Sequence, residues 1–341
     1  MIYFDSYKYK EKHQKLYFCS AMQSSFNHIS QLASHGTPFT FFISYDKKTI
    51  LCYTNTELIK EGVQFSTKPA QESKAKIQPA IVSRDQISRQ AFQKAFNLVQ
   101  QNLHFGNSYL LNLTFRTPVK LNCSLKDVYT GTSAAYRGYI HGKFTFFSPE
   151  TFIKINEKGI IRTFPMKGTS SVLLDPDGSK LKTSIKEISE HNTIVDLLRN
   201  DLAIVAHNVE VKDFAYLEQI NTGKGHHIWQ MSSEVEAQLD GSWPSKLGTI
   251  LEKMLPAGSI SGAPKEKTLE IISIAEDYDR GFYTGIAGHF DGKTLDSCVM
   301  IRFIAEENGK YYYCSGGGIT YLSNTEDEYA EYLEKIYIPT I

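Results

Sequence analysis

Four glutamates carry the most suggestive spacing in the chain. Glu187 and Glu190 stand three residues apart in KEISEHNTIVDLLRN, and Glu328 and Glu331 repeat the interval in TEDEYAEYLEK. Three residues is close to one helical turn, so each pair shares a helix face. One such pair equally suits a solvated acidic face. Two pairs on separate helices suit a hard divalent ion, because Mg²⁺ takes oxygen ligands from a few carboxylates, waters and a substrate oxyanion. Thr325 could also cap the second helix, with Glu328 closing a capping box, which is a purely structural reason for that residue.

Other segments could supply the rest of a site. SGGGIT places Gly316, Gly317 and Gly318 just after a strand-like run. Bare backbone there suits close approach of a carboxylate or phosphate, or an ordinary tight turn. In LPAGSISGAPKEKTLE, Ser261 reads as an N-cap with Pro264 in the first helical turn. A helix start of this kind can hold an anion or simply be well capped. Lys167, in RTFPMKGT, sits at a strand end or turn. It is a surface charge or, if held in a pocket, a nucleophile. Arg302 ends the apolar run CVMIRF. Pointing inward it needs a carboxylate partner from protein or ligand; pointing outward it is solvated.

These residues need a scaffold, and the chain has the means to build one. It has 341 residues, 41% of them apolar and 22% charged. That composition supports a large core and argues against wholesale disorder. Lys plus Arg equals Asp plus Glu at 37 each, which disfavours a basic nucleic-acid binder or a polybasic membrane anchor. Five widely spaced cysteines without a CxxC pair read as reduced thiols of a cytoplasmic protein. The opening MIYFDSYKYK lacks signal-peptide character, and no apolar run reaches the roughly 20 residues of a membrane span.

Alternating aromatic runs predict strands over Thr37–Ser44, Tyr109–Arg116, Lys143–Ser148 and Lys310–Ser315. Helical periodicity predicts helices over Ser83–Gln101, Thr183–His207, Ser261–Asp277 and Glu326–Ile336. In the second of these, Ile185, Ile188, Val195, Leu198, Leu202 and Val205 form the expected buried stripe. Strands outnumber helices without a regular alternation, so the expected class is α+β with large, mainly antiparallel sheets flanked by helices. The polar segment Thr67–Gln78 suggests a short leading subdomain over residues 1–66 and a main domain over 79–341. No phosphate loop, HExxH, nucleophile elbow or glutaminase triad is found.

Five separated blocks together resemble the chorismate-utilising enzymes, in that family's order, from about Ser83 to Lys335. They are SPETF (148–152), FPMKGT (164–169), EISEHNTIVDLLRNDL (187–202), LPAGSISGAPK (255–265) with RGFYTG (280–285), and GGGIT…DEYAEYLEK (316–335). The resemblance implies that family's fold. Within the family, anthranilate synthase large subunits resemble PIAGT where this chain reads PMKGT, whereas para-aminobenzoate synthase component I resembles PIKGT. Lys167 therefore points to the para-aminobenzoate branch. The basic lysine of isochorismate and salicylate synthases aligns with Leu110, so water activation by that route is not expected.

The resemblance also implies roles. Glu190 and Glu331 would hold Mg²⁺ directly, with Glu187 and Glu328 acting through water. Glu150 would be the general acid for the C4 hydroxyl, and Lys167 the nucleophile at C2. Arg302 and Tyr283 would hold the enolpyruvyl carboxylate. Gly316, Gly317, Gly318, Ser261 and Thr169 would complete the substrate contacts. The implied reaction is amination of chorismate at C4 to 4-amino-4-deoxychorismate, a transferase step towards para-aminobenzoate and folate. Ammonia would come from a separate glutamine amidotransferase subunit, and a separate lyase would act next. Departures exist: GTSSVLL replaces a frequent Arg after the lysine block, and a functional His position reads as Gln230 by spacing, or His227. No tryptophan-inhibitor element is recognisable. The competing readings are anthranilate synthase, a non-catalytic anion binder, and an unrelated metal enzyme acting on phosphates.

Overall fold

The computed structural model describes residues 24–70, 72, 75–221 and 227–340. The opening segment read for signal-peptide character and Cys19 lie outside the described residues. The strands are β1 (Phe39–Ile43), β2 (Ile50–Thr54), β3 (Gln64–Ser66), β4 (Ile81–Arg84), β5 (Leu110–Leu121), β6 (Tyr136–Ile140), β7 (Phe144–Ser148), β8 (Thr151–Ile155), β9 (Ile160–Thr163), β10 (Met166–Ser171), β11 (His207–Asn221), β12 (His227–Gln238), β13 (Gly262–Ala263), β14 (Ile286–Phe290), β15 (Leu295–Val299), β16 (Phe303–Glu307) and β17 (Lys310–Thr320). The helices are α1 (Phe26–Ser34), α2 (Asn55–Glu61), α3 (Arg89–His104), α4 (Leu125–Gly131), α5 (Ser179–Thr183), α6 (Ile185–Ala203), α7 (Leu247–Met254), α8 (Lys265–Ala275) and α9 (Thr325–Glu334).

The strands form two sheets. The nine-stranded sheet runs β10-β12-β9-β8-β15-β14-β1-β2, with β11 also on β12. The eight-stranded sheet runs β13-β5-β17-β16-β7-β6-β3, with β4 also on β5. Adjacent strands are antiparallel throughout, as between β1 and β14 or β5 and β17. The architecture is α+β, as the sequence predicts.

Alternation of side chains explains why the sheets stack. In β1, Phe39, Phe41 and Ile43 join one core with α1, α7 and Leu202 of α6. Phe42 points the other way, into a core shared with Phe144, Phe146 and Phe303 of the second sheet. A third core packs Leu111, Leu113 and Phe115 of β5 against Phe92 and Phe96 of α3 and Tyr332 of α9. Both faces of the central strands are therefore buried, and their aromatic density follows from that.

Several boundaries differ from the sequence expectation. Residues 24–66 do not stand apart, since β1 lies between β14 and β2 in the first sheet and β3 extends the second sheet beside β6. The helix expected from Ser83 is β4 followed by α3, capped by Ser88, whose Oγ accepts from Ala91 N. Of the expected stripe in α6, Val195, Leu198 and Leu202 are buried but Ile185 is 87% exposed at the first turn, and the buried face also includes His191, Ile194, Leu197 and Asp201. Helix α8 begins after Pro264, so Ser261 is no N-cap: it is buried in the preceding turn, its Oγ donating to Ala257 O at 2.8 Å. In α9 the cap is Asn324, accepting from Asp327 N, rather than Thr325. That one-residue shift removes the capping-box reason for Glu328.

Candidate active site

The two acidic helices reach one place from different sheets. Ser184 caps α6, its Oγ accepting from Glu187 N, and α6 lies over β10, β11 and β12. Helix α9 lies along β17. Between them opens a cavity of about 810 Å³. The residues given catalytic, substrate or metal roles from the sequence all line it: Glu150, Lys167, Thr169, Glu187, Glu190, Ser261, Tyr283, Arg302, Gly316, Gly317, Gly318, Glu328 and Glu331. Gln230 is in the wall and His227 is not.

The three glycines are not a turn after a strand. They continue β17, with Gly316, Gly317 and Gly318 opposite Thr114, Leu113 and Asn112 of β5. Their bareness has two causes. A Cβ on Gly316 would sit 2.3 Å from Leu113 O, so the ladder itself excludes a side chain. A Cβ on Gly317 would instead fill the space 3.4 Å from Lys335 Nζ and 3.5 Å from both Glu328 Oε2 and Glu331 Oε1. Gly168, at φ +80°, likewise leaves room for Glu187, whose Oε2 lies 2.6 Å from where a Cβ would stand.

Two lysines neutralise the carboxylates. Lys167 lies on β10, with Nζ 2.9 Å from Glu190 Oε2. Lys335 Nζ is 2.5 Å from Glu331 Oε1 and donates to Gly316 O at 2.8 Å. Burial works against the Lys167 charge, but Glu190, with Glu331 and Glu328 beyond it, holds its pKa above the ordinary lysine value. Lys335 is pushed the other way by burial, with Arg302 and Lys167 adding repulsion. Burial, together with neighbouring Glu331, raises Glu328. Glu331 is lowered, since Lys335 more than offsets its burial.

Among the described residues no three His, Cys, Asp or Glu side chains converge as a finished metal cage. The donor set still fits a hard cation: it is all carboxylate oxygen, from two helices, with bare backbone at Gly168 and Gly317 leaving space beside it.

Glu150 enters from the turn before β8. Its Oε1 accepts from Ser259 Oγ at 2.5 Å, and burial raises its pKa above the ordinary carboxylate value, which favours the protonated form. Arg302 follows β15 at φ 52°, donates from Nη1 to Lys335 O at 2.8 Å and stacks on Tyr337. It forms no ion pair with a carboxylate among the described residues, which leaves guanidinium donors for a ligand. Tyr283 is buried in the same wall.

Support behind this wall was invisible in the sequence. Arg280 and Glu276 form a buried ion pair at 2.6 Å. Glu276 also accepts from Thr114 N and Oγ1, while Arg280 donates to Ile260 O and Asn112 O. Asp201 binds Lys265 Nζ at 2.9 Å and accepts from Gly258 N, tying α6 to the turn that carries Ser259. Lys335 itself lay in a quoted block without a role; its only local signal was the four-residue interval from Glu331.

The sequence profile of chorismate binding enzymes matches residues 6–340. The chain belongs to the chorismate binding enzymes. An uncharacterised PabA-like protein of Haemophilus influenzae is 44% identical over 93% of this chain and 98% of its own length. Aminodeoxychorismate synthase component 1 of Salmonella typhimurium is 34% identical over 73% of this chain, and that alignment spans 57% of the relative. Among solved structures, anthranilate synthase component I from Streptococcus pneumoniae superposes with a TM-score of 0.71 at 20% identity, covering 92% of this chain and 85% of that one. The menaquinone-specific isochorismate synthase MenF of Escherichia coli gives 0.67 at 15% identity, covering 90% and 79%. These likenesses establish the chorismate-utilising fold. No described helix is long and apolar enough to cross a membrane.

Proposed function

We propose that this chorismate binding enzyme is an aminodeoxychorismate synthase component I, a transferase that aminates chorismate at C4 to give 4-amino-4-deoxychorismate. The observation that carries the reading is Lys167, which lines the same cavity as Glu150 in a PMKGT block and contacts Glu190. The 34% identity to the Salmonella synthase supports it.

Arg302 and Tyr283 would receive one substrate carboxylate, and the Gly317 space beside Lys335 the other. When bound, Mg²⁺ would supply charge for that second carboxylate and compete with Lys167 for Glu190. Attack requires the neutral amine, so any loosening of the Lys167–Glu190 contact favours the reactive form. Lys167 Nζ then bonds to C2 while the diene electrons shift. The C4–O bond breaks, and Glu150 hands its proton to the departing hydroxyl, which leaves as water. Ammonia bonds to C4, the electrons shift back, and the C2–N bond breaks to release Lys167. The pyruvyl group stays on the product. The ammonia source would be a separate glutamine amidotransferase subunit.

The test incubates the purified chain with chorismate, Mg²⁺ and ammonium salt, with and without an added aminodeoxychorismate lyase. Lyase-dependent para-aminobenzoate is the expected product. Anthranilate would overturn the assignment in favour of the sibling activity. Mass spectrometry without ammonia should show a chorismate-derived adduct on the protein, absent from Lys167→Ala and from Lys167→Arg, which keeps the charge but loses the nucleophile.

A further inference from the structure

Several charged groups of the cavity are already engaged: Glu190 with Lys167, Glu331 with Lys335 and Glu150 with Ser259. Among the described residues of its wall, one buried side-chain oxygen is not. Asn112 lies in β5, the only amide in the apolar run YLLNLTF, and it forms part of the cavity wall. Its Oδ1 is closed off from bulk water and accepts no hydrogen bond.

Its backbone is held firmly. Asn112 N–H donates to Ser261 O at 3.1 Å, and its carbonyl accepts from Arg280 Nη2 at 2.7 Å. Across the ladder stands Gly318, which adds no side chain beside it. A preorganised amide without an internal partner costs stability, because a buried unsatisfied acceptor forfeits its hydration. The fold gains nothing visible in return, so the partner belongs to the cavity's contents.

Chemistry narrows which partner. The cationic groups Lys335 and Arg302 suit carboxylates. A neutral amide, which both donates and accepts, suits a hydroxyl. The placement agrees: the Gly258–Ser261 turn bonds Asn112 through Ser261 and Glu150 through Ser259, so the amide and the carboxyl flank one turn. We propose that Asn112 is a substrate-positioning residue whose amide hydrogen-bonds the ring hydroxyl of chorismate and turns it towards Glu150. Rotation about the terminal amide torsion, which is soft, brings Oδ1 or Nδ2 to the ligand.

This inference rests on chorismate as the ligand but not on the branch, since both sibling reactions expel the same hydroxyl. The test compares wild type with Asn112→Leu and Asn112→Thr by thermal melting with and without chorismate, and by steady-state kinetics. Asn112→Leu should melt at or above the wild-type temperature without ligand, since it removes an unpaired buried amide. It should lose most of the chorismate-induced rise in Tm, and kcat/KM for chorismate should fall by roughly 10- to 100-fold, the loss of one buried hydrogen bond. Asn112→Thr keeps a hydroxyl and should recover part of both. The KM for ammonia should stay unchanged, because the hydroxyl has left before ammonia adds.

An unchanged chorismate shift and kcat/KM in Asn112→Leu would overturn the proposal. So would unliganded melting well below wild type in both variants, or failure of both to fold, since the amide would then be a strut. No chorismate shift in wild type would overturn it as well. Anthranilate as the wild-type product would overturn the branch assignment alone, leaving the Asn112 comparison intact.

Discussion

Glu150 shows how far one residue's surroundings determine its chemistry. Burial favours its protonated form, and the Ser259 hydroxyl opposes this only in part. A carboxyl with a raised folded pKa gives stability that is fully present below its unfolded pKa and lost as pH rises through the folded value. Glu150→Gln removes that loss. Its melting temperature relative to wild type should therefore climb as pH rises from the ordinary glutamate value of about 4, while kcat falls by roughly 10²- to 10⁴-fold, the usual worth of a general acid. Melting curves across that range, read beside turnover, check both. A variant that tracks wild-type stability at every pH would mean that the carboxyl is ordinary.

At the scale of elements, the glycines of β17 separate packing from function. Gly316→Ala drives a methyl to 2.3 Å from a backbone oxygen of β5, so the strand pair must part and melting should drop by several degrees. Gly317→Ala meets only side-chain tips at 3.4–3.5 Å, so it should fold and melt near wild type. It should nonetheless lose chorismate turnover, because the methyl occupies the space between Lys335 and the α9 carboxylates. Circular dichroism melting and the coupled para-aminobenzoate assay distinguish the two; equal loss of stability in both would show that the space has no functional meaning. The same strand shows what was readable beforehand. Alternation in KYYYCS predicts its start, but three glycines read equally as an anion-approach site or a tight turn, because their value as sheet residues depends on β5 lying opposite. Helix α6 was legible from periodicity, yet Ile185 was placed inside when only its apolar type, not its neighbours, was known. Spacing exposed the glutamate pairs because i, i+3 is a local relation. The Glu276–Arg280 pair is itself local at i, i+4, but Asn112 meets Arg280 and Thr114 meets Glu276 over long sequence separations, so no local pattern announced those contacts.

At the scale of the whole molecule, the acidic helices belong to different sheets, α6 over β10–β12 and α9 over β17. A divalent ion shared between them would link the two sheets. Binding to the folded state alone stabilises it by RT ln(1 + [L]/Kd), about 2.7 kcal/mol at a hundredfold excess over Kd. Mg²⁺ with chorismate should therefore raise the melting temperature, a chelator should reverse the rise, and Glu190→Gln with Glu331→Gln should abolish it. A rise that survives in the double variant would place the ion elsewhere.

The glycine-bearing strand also bears on inhibitor shape. One wall of the cavity is a hydrogen-bonded ladder between β17 and β5, pinned from behind by the Glu276–Arg280 pair, and a ladder of that kind yields little to a bulky group. Another part of the wall is α6, whose Ile194 and Leu198 form a short apolar cluster with Leu110 at the start of β5 and can repack by rotamer change. Tolerance for unnatural substituents should thus be lopsided: analogues enlarged on the ring edge that faces the ladder are refused, and those enlarged towards α6 are accommodated.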